Sequence, residues 1–159
     1  MQLQKVEVGG LYFFWVEFFI QYRLESLLKL AVDEKKMTEV QVRQFNKLFT
    51  KLDQYIPEEQ PALLHGDLWS GNILTGTKGL PVLIDPAVYY GHREIELAYT
   101  QLFDRFDKEF YHAYASEYPL LPGFEERIRL HQLYPLMVHV NLFGGGYVGQ
   151  VIDVLKFYV

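Results

Sequence analysis

An aspartate, an asparagine and a second aspartate stand at intervals that could make one site. Asp67 precedes Asn72 by five residues, and Asp85 follows Asn72 by thirteen. His65 lies two residues before Asp67, and the short apolar run Leu83-Ile84 ends in Asp85. An Asp and an Asn at the two ends of a tight loop can face one cleft, and a strand ending in Asp85 can bring a further carboxylate alongside. Such a set suits phosphoryl transfer, which needs one carboxylate near the attacking hydroxyl and oxygen ligands for Mg²⁺ beside the leaving phosphates. Taken singly, the pieces are ordinary: His65-Gly66-Asp67 reads as a turn, Asn72 as an Asx-turn and Asp85 as a strand-end cap. Together, in order and in register, they favour a site with Asp67 as candidate base and Asn72 and Asp85 as candidate Mg²⁺ ligands.

The spacing also fits the catalytic loop of protein kinases, H-R-D-L-x-x-x-N, followed by a metal-binding aspartate. His65, Asp67, Leu68 and Asn72 match that template, with Gly66 in place of the Arg. The run Leu64-His65-Gly66-Asp67-Leu68-Trp69-Ser70-Gly71-Asn72, with Ile84-Asp85-Pro86-Ala87-Val88-Tyr89-Tyr90-Gly91-His92-Arg93-Glu94, resembles the fructosamine kinase (ketosamine-3-kinase) family. That family belongs to the aminoglycoside-phosphotransferase-like, kinase-fold group. The likeness continues through Phe110-Tyr111, Tyr118-Pro119-Leu120 and Asn141-Leu142-Phe143-Gly144-Gly145-Gly146-Tyr147, so it covers the chain from about Trp15 to its end.

The resemblance implies a mainly helical α+β fold, the C-terminal lobe of a protein-kinase-like structure, with a small β-hairpin carrying the catalytic loop. It implies ATP and Mg²⁺ as cofactors. The substrate it implies is a ketosamine, as a small molecule or on a glycated protein, phosphorylated on its 3-hydroxyl. Trp69 is then a candidate substrate-binding residue whose flat face could pack on a sugar ring; buried, it would instead be a core anchor. His65 reads as a structural residue bonding the loop backbone. Arg93 and Glu94 read as an ion pair with the catalytic loop rather than as substrate contacts. Glu96 stands where the family pattern has Asp. His139 and Asn141 read as satisfied core polar groups.

Composition narrows the rest. The 159 residues suit one domain with a substantial core, and half of them are hydrophobic. A net charge of −5 argues against a nucleic-acid partner. The absence of cysteine excludes disulfides and cysteine-ligated metal, and fits the cytoplasm. Leu11–Ile20 is too short to span a bilayer, and Leu133–Val151 carries His139, Asn141 and four glycines, so no membrane partner is expected.

The elements that must position the site follow from periodicity. A largely buried helix is predicted from Leu11 to about Val32, after a turn or frayed end at Gly9-Gly10. Thr38 with Gln41 has the capping-box form and opens a helix to about Ile56, stopped by Pro57. Ala62–His65 and Asn72–Leu74 flank the loop, and the chain turns at Gly76–Gly79 and returns along Leu80–Ile84 as a hairpin. Pro86–Arg93 is predicted as loop, Glu94–Phe106 as helix, and Asp107 to near Tyr118 as another. A helix from Phe124 to about Phe143 should kink at Pro135, and Gly144-Gly145-Gly146 should separate it from a final helix, Tyr147–Tyr158.

No Gly-rich phosphate loop, strand lysine or partner glutamate of the kinase template can be placed. The sequence therefore reads as a kinase-like C-terminal lobe spanning residues 1–159 without a nucleotide-clamping N-terminal lobe. Little or no activity is expected of it alone. Apolar surface left by the missing lobe, particularly near residues 1–15, invites self-association. Two rival readings remain: a binding or regulatory module with a vestigial site, and a metallohydrolase using His65, Asp67, Asp85 and His92.

Overall fold

A computed structural model describes residues 6–159. The chain divides into two compact units, Met1–Glu59 with Gln132–Val159, and Gln60–His131. Among the described residues no helix is long and apolar enough to cross a membrane.

The first unit opens with an antiparallel hairpin, β1 (Val6–Val8) and β2 (Leu11–Phe13), in the register Val8↔Leu11. Gly9 and Gly10 take φ of +57° and +82°, the double left-handed turn that two-residue hairpins require. This corrects the predicted helix from Leu11, because Gly-Gly lets the chain reverse and pair before the helix begins. The helical run instead starts at α1 (Trp15–Phe18), where Glu17 reaches back to accept from the Phe14 amide. It continues through a π-helical stretch, Phe19–Glu25, into α2 (Ser26–Asp33). Its inward side chains, Trp15, Phe18, Phe19, Leu24, Leu28 and Ala31, are buried.

Thr38 and Gln41 form the expected capping box on α3 (Glu39–Phe49). The predicted single helix to Ile56 is broken. Thr50 turns its hydroxyl onto the Lys47 carbonyl, and a separate turn, α4 (Leu52–Tyr55), follows. The unit also takes the later part of α7 (Phe124–Phe143) and α8 (Gly146–Tyr158). Helix α7 is continuous through Pro135, and the Pro135 carbonyl accepts from His139 Nδ1 at 2.8 Å. Asn141 donates to the Leu27 and Met137 carbonyls, while its buried Oδ1 has no hydrogen-bond partner, so it is only partly satisfied. Phe45, Leu48, Leu52, Leu133, Met137 and Leu155 are fully buried here.

The second unit holds two small antiparallel sheets. Strands β4 (Ile73–Thr75) and β5 (Pro81–Leu83) form the expected hairpin, with Leu74 opposite Val82. Strand β3 (Ala62–Leu64) pairs with β6 (Tyr89–Gly91), which lies inside the stretch predicted as loop. The aromatic Tyr89-Tyr90 found a partner distant in sequence, which local periodicity does not reveal. Helix α5 (Arg93–Thr100) is shorter than expected because the Thr100 hydroxyl bonds the Leu97 carbonyl and the Tyr111 hydroxyl, ending the helix. Helix α6 (Lys108–Glu117) and the first two turns of α7 complete the unit.

Candidate active site

The segment His65–Asn72 leaves β3 and enters β4 through a single 3₁₀ turn, Ser70–Asn72. Its start cannot be regular. Gly66 has φ of +83°, and a Cβ there would stand 2.1 Å from the Ala87 carbonyl oxygen. Only glycine fits, which explains why the kinase-template Arg is replaced. The two amides this bend frees are both taken by one side chain: Glu96 of α5 accepts from His65 N–H at 3.1 Å and from Gly66 N–H at 2.7 Å. Glu96 thus holds the loop, the part expected of Arg93 and Glu94.

His65 has the structural role read from the sequence. Its Nδ1 accepts from the Asp67 amide at 3.3 Å, so Nε2 carries the proton and donates to the Ile84 carbonyl at 3.0 Å. The Ala87 amide donates to the His65 carbonyl at 2.8 Å, and the Ile84 amide to the Asn72 carbonyl at 3.0 Å. These bonds bring the residue before Asp85 against both ends of the loop.

Asp67 and Asn72 meet directly. Asn72 Nδ2 donates to the Asp67 backbone carbonyl at 2.8 Å and to Asp67 Oδ2 at 3.1 Å. These bonds run from the amide nitrogen back to Asp67 and are not those of an Asx-turn, in which the side-chain oxygen accepts from the backbone further on. With that nitrogen spent, the buried Asn72 offers Oδ1 to any ligand. Asp67 Oδ1 accepts from the Tyr99 hydroxyl at 2.8 Å. Asp85 is exposed and has φ of +54°, a left-handed conformation uncommon outside glycine that Asp tolerates better than most residues.

Asn72 Oδ1 and the Asp85 carboxylate are hard oxygen donors, the ligand type Mg²⁺ takes while keeping several waters. The residues present therefore fit that ion. Trp69 is 41% exposed, so it is no core anchor. Its ring lies over the loop backbone, since a Cβ on Gly71 would come within 2.3 Å of it.

His92 and Glu94 belong elsewhere. His92 Nδ1 caps α5 by accepting from the Glu94 amide. Glu94 is fully buried and receives Arg127 Nε at 2.8 Å, Arg127 Nη2 at 2.7 Å and His131 Nε2 at 3.2 Å. Burial alone would raise its pKa. The hydrogen bonds from Arg127 and His131 and the nearby His131 and His92 charges outweigh that and lower it to about 2. His92, Glu94 and His131 are close enough together to hold a metal, but the Arg127 fork already occupies both Glu94 oxygens. Arg93 donates to the Tyr118 and Pro119 carbonyls. The metallohydrolase set does not assemble: both His65 nitrogens are engaged, and His92 joins Glu94.

Sequence reasoning missed Tyr99 and Asp104. The latter accepts from the Ser70 hydroxyl at 2.7 Å. A faint signal existed for the first: Glu96 and Tyr99 stand at i,i+3 on an otherwise buried helix, a polar face aimed at the loop.

The solved structure of a protein assigned as a fructosamine-3-kinase, from Thermobifida fusca, superposes with a TM-score of 0.84 at 38% identity, over 96% of this chain and 55% of that one. The fold is thereby that of a kinase-like C-terminal lobe, α+β and mainly helical. The family model for fructosamine kinase matches residues 11–159, and the chain belongs to that family. It is 45% identical to the probable ketoamine kinase of Lactiplantibacillus plantarum, over 87% of this chain and 50% of that protein. It is 40% identical to the ketosamine-3-kinase of mouse, over 89% and 46%. The chain thus spans about half the length of these relatives.

Proposed function

We propose that this chain carries the catalytic side of an ATP- and Mg²⁺-dependent kinase that phosphorylates a sugar hydroxyl of a ketosamine, free or on a glycated protein. The observation that carries the reading is the closed web at Asp67, with Asn72 on one oxygen and Tyr99 on the other. A carboxylate held on both sides can accept a hydrogen bond from an incoming alcohol in one fixed orientation, and take its proton as transfer proceeds. Asn72 and Asp85 would hold Mg²⁺, which when bound neutralises phosphate charge. Trp69 offers an exposed ring for the apolar face of the sugar. Because the chain has half the length of its relatives, we expect weak nucleotide binding and little turnover from it alone.

Calorimetric titration with ATP, with and without Mg²⁺, tests this. Mg²⁺-dependent heat that Asp85→Asn abolishes supports a working lobe. No heat under either condition would favour a regulatory module with a vestigial site. Self-association is the remaining partner expectation; the surface near residues 1–15 expected to carry it lies partly outside the described residues, and the exposed Leu74, Leu80, Val82 and Leu83 around the β4–β5 hairpin offer a different apolar surface for it.

A further inference from the structure

The proposed reaction leaves unexplained why the last turn of α5 and the segment after it are each fastened to the catalytic loop. Tyr99 bonds Asp67 at 2.8 Å, and Ser70 bonds Asp104 Oδ2 at 2.7 Å. Trp69 sits between the two loop residues so tied, and Phe103 sits between the two partners, stacked edge-on against Tyr99 with ring centroids 5.9 Å apart. Trp69, Phe103 and Asp104 are all exposed. The Ser70 hydroxyl uses one lone pair of Asp104 Oδ2 and fixes the carboxylate's direction, leaving the other oxygen open to a further donor in the contacts described.

We infer that Asp104 is a specificity-determining residue that receives the protonated amine of the substrate. This rests on the ketosamine reading above and deepens it. A ketosamine differs from a plain ketose by an amine on the carbon next to the carbonyl, and that amine is cationic near neutral pH. A site for it needs an anionic acceptor near the base, and Asp104 is the side chain that its bond to Ser70 fastens to the loop three residues along from Asp67 and next to Trp69 in the chain. The contact is exposed, so its effect on affinity is modest and its effect on selectivity is what can be read.

The test uses this chain with the indole ring of Trp69 isotopically labelled, titrated by NMR with 1-amino-1-deoxyfructose and, separately, its N-acetyl derivative, which is neutral. The amine is expected to bind about fivefold more tightly than the acetyl compound. That ratio should fall toward one in 1 M salt. In Asp104→Asn it should also fall toward one with the acetyl compound's affinity unchanged, since the amide oxygen still accepts from Ser70 and the fold is kept. An unchanged ratio in Asp104→Asn overturns the inference while leaving the sugar site intact. Failure of either sugar to move the Trp69 signal overturns the inference and the ketosamine reading together.

Discussion

Asp67 is useful only because every neighbour is committed. His65 accepts its amide, Asn72 takes one carboxylate oxygen and Tyr99 the other. In a protein of its relatives' full length that carries this lobe, Asp67→Asn is expected to lower phosphoryl transfer by about 10²–10⁴-fold with unchanged melting temperature. Coupled assays of ATP consumption read the first and calorimetry the second; undiminished transfer would remove Asp67 as base. Gly66→Ala attacks the same loop through its backbone. A left-handed φ and a methyl driven into the Ala87 carbonyl should cost about 3 kcal/mol, measured by urea unfolding. At this scale the sequence was most readable. The spacing of Asp67 and Asn72 shows that the two share one loop, where they meet, and the structural part of His65 is legible as well. Tyr99 and Asp104 were not seen, because their contacts join residues 32 and 34 positions apart, and no local pattern encodes that.

The element that organises the site is α5. Glu96 on it holds the loop, and Glu94 on it pairs with Arg127 at the start of α7. Two acidic residues two positions apart on one helix therefore serve opposite sides, and the sequence reading assigned the loop to the wrong one. Arg93 and Glu94, expected on the catalytic loop, turn away from it instead: Arg93 donates to the Tyr118 and Pro119 carbonyls and Glu94 receives Arg127. The pair has a pH signature. Glu94 titrates at about 2 in the fold against 4.5 in the ordinary state. A lowered folded value means its stabilisation is present above pH 4.5 and is lost as pH falls from there toward 2. The amount is about 3 kcal/mol. Urea unfolding across pH 2–7 should show wild-type stability falling over that window, and Glu94→Gln, already destabilised at pH 7 by the unpaired Arg127, should fall less. Equal pH slopes for both proteins would contradict the assignment. Strand β6 was unreadable for a similar reason: it pairs with β3 across the whole site, so only the tertiary fold makes it a strand.

At the scale of the molecule, helical periodicity, the capping box at Thr38 and the β4–β5 hairpin were legible because each is local. The hairpin at Gly9-Gly10 was not, because its glycines signal a turn without saying what flanks it. The hairpin side chains Leu80 and Leu83 stay exposed, and sedimentation is expected to show concentration-dependent association that Leu80→Lys with Leu83→Lys reduces. A single sedimentation coefficient at all concentrations would argue otherwise. Whether Asn72 and Asp85 make one cation site beside Asp67 is decided most directly by Mn²⁺, a paramagnetic stand-in for Mg²⁺, added with ATP to the isotope-labelled chain. NMR broadening should centre on the amides of Asp67–Asn72 and Asp85 and spare His92 and His131. Broadening centred on His92 and His131, or none near Asp85, would contradict the site.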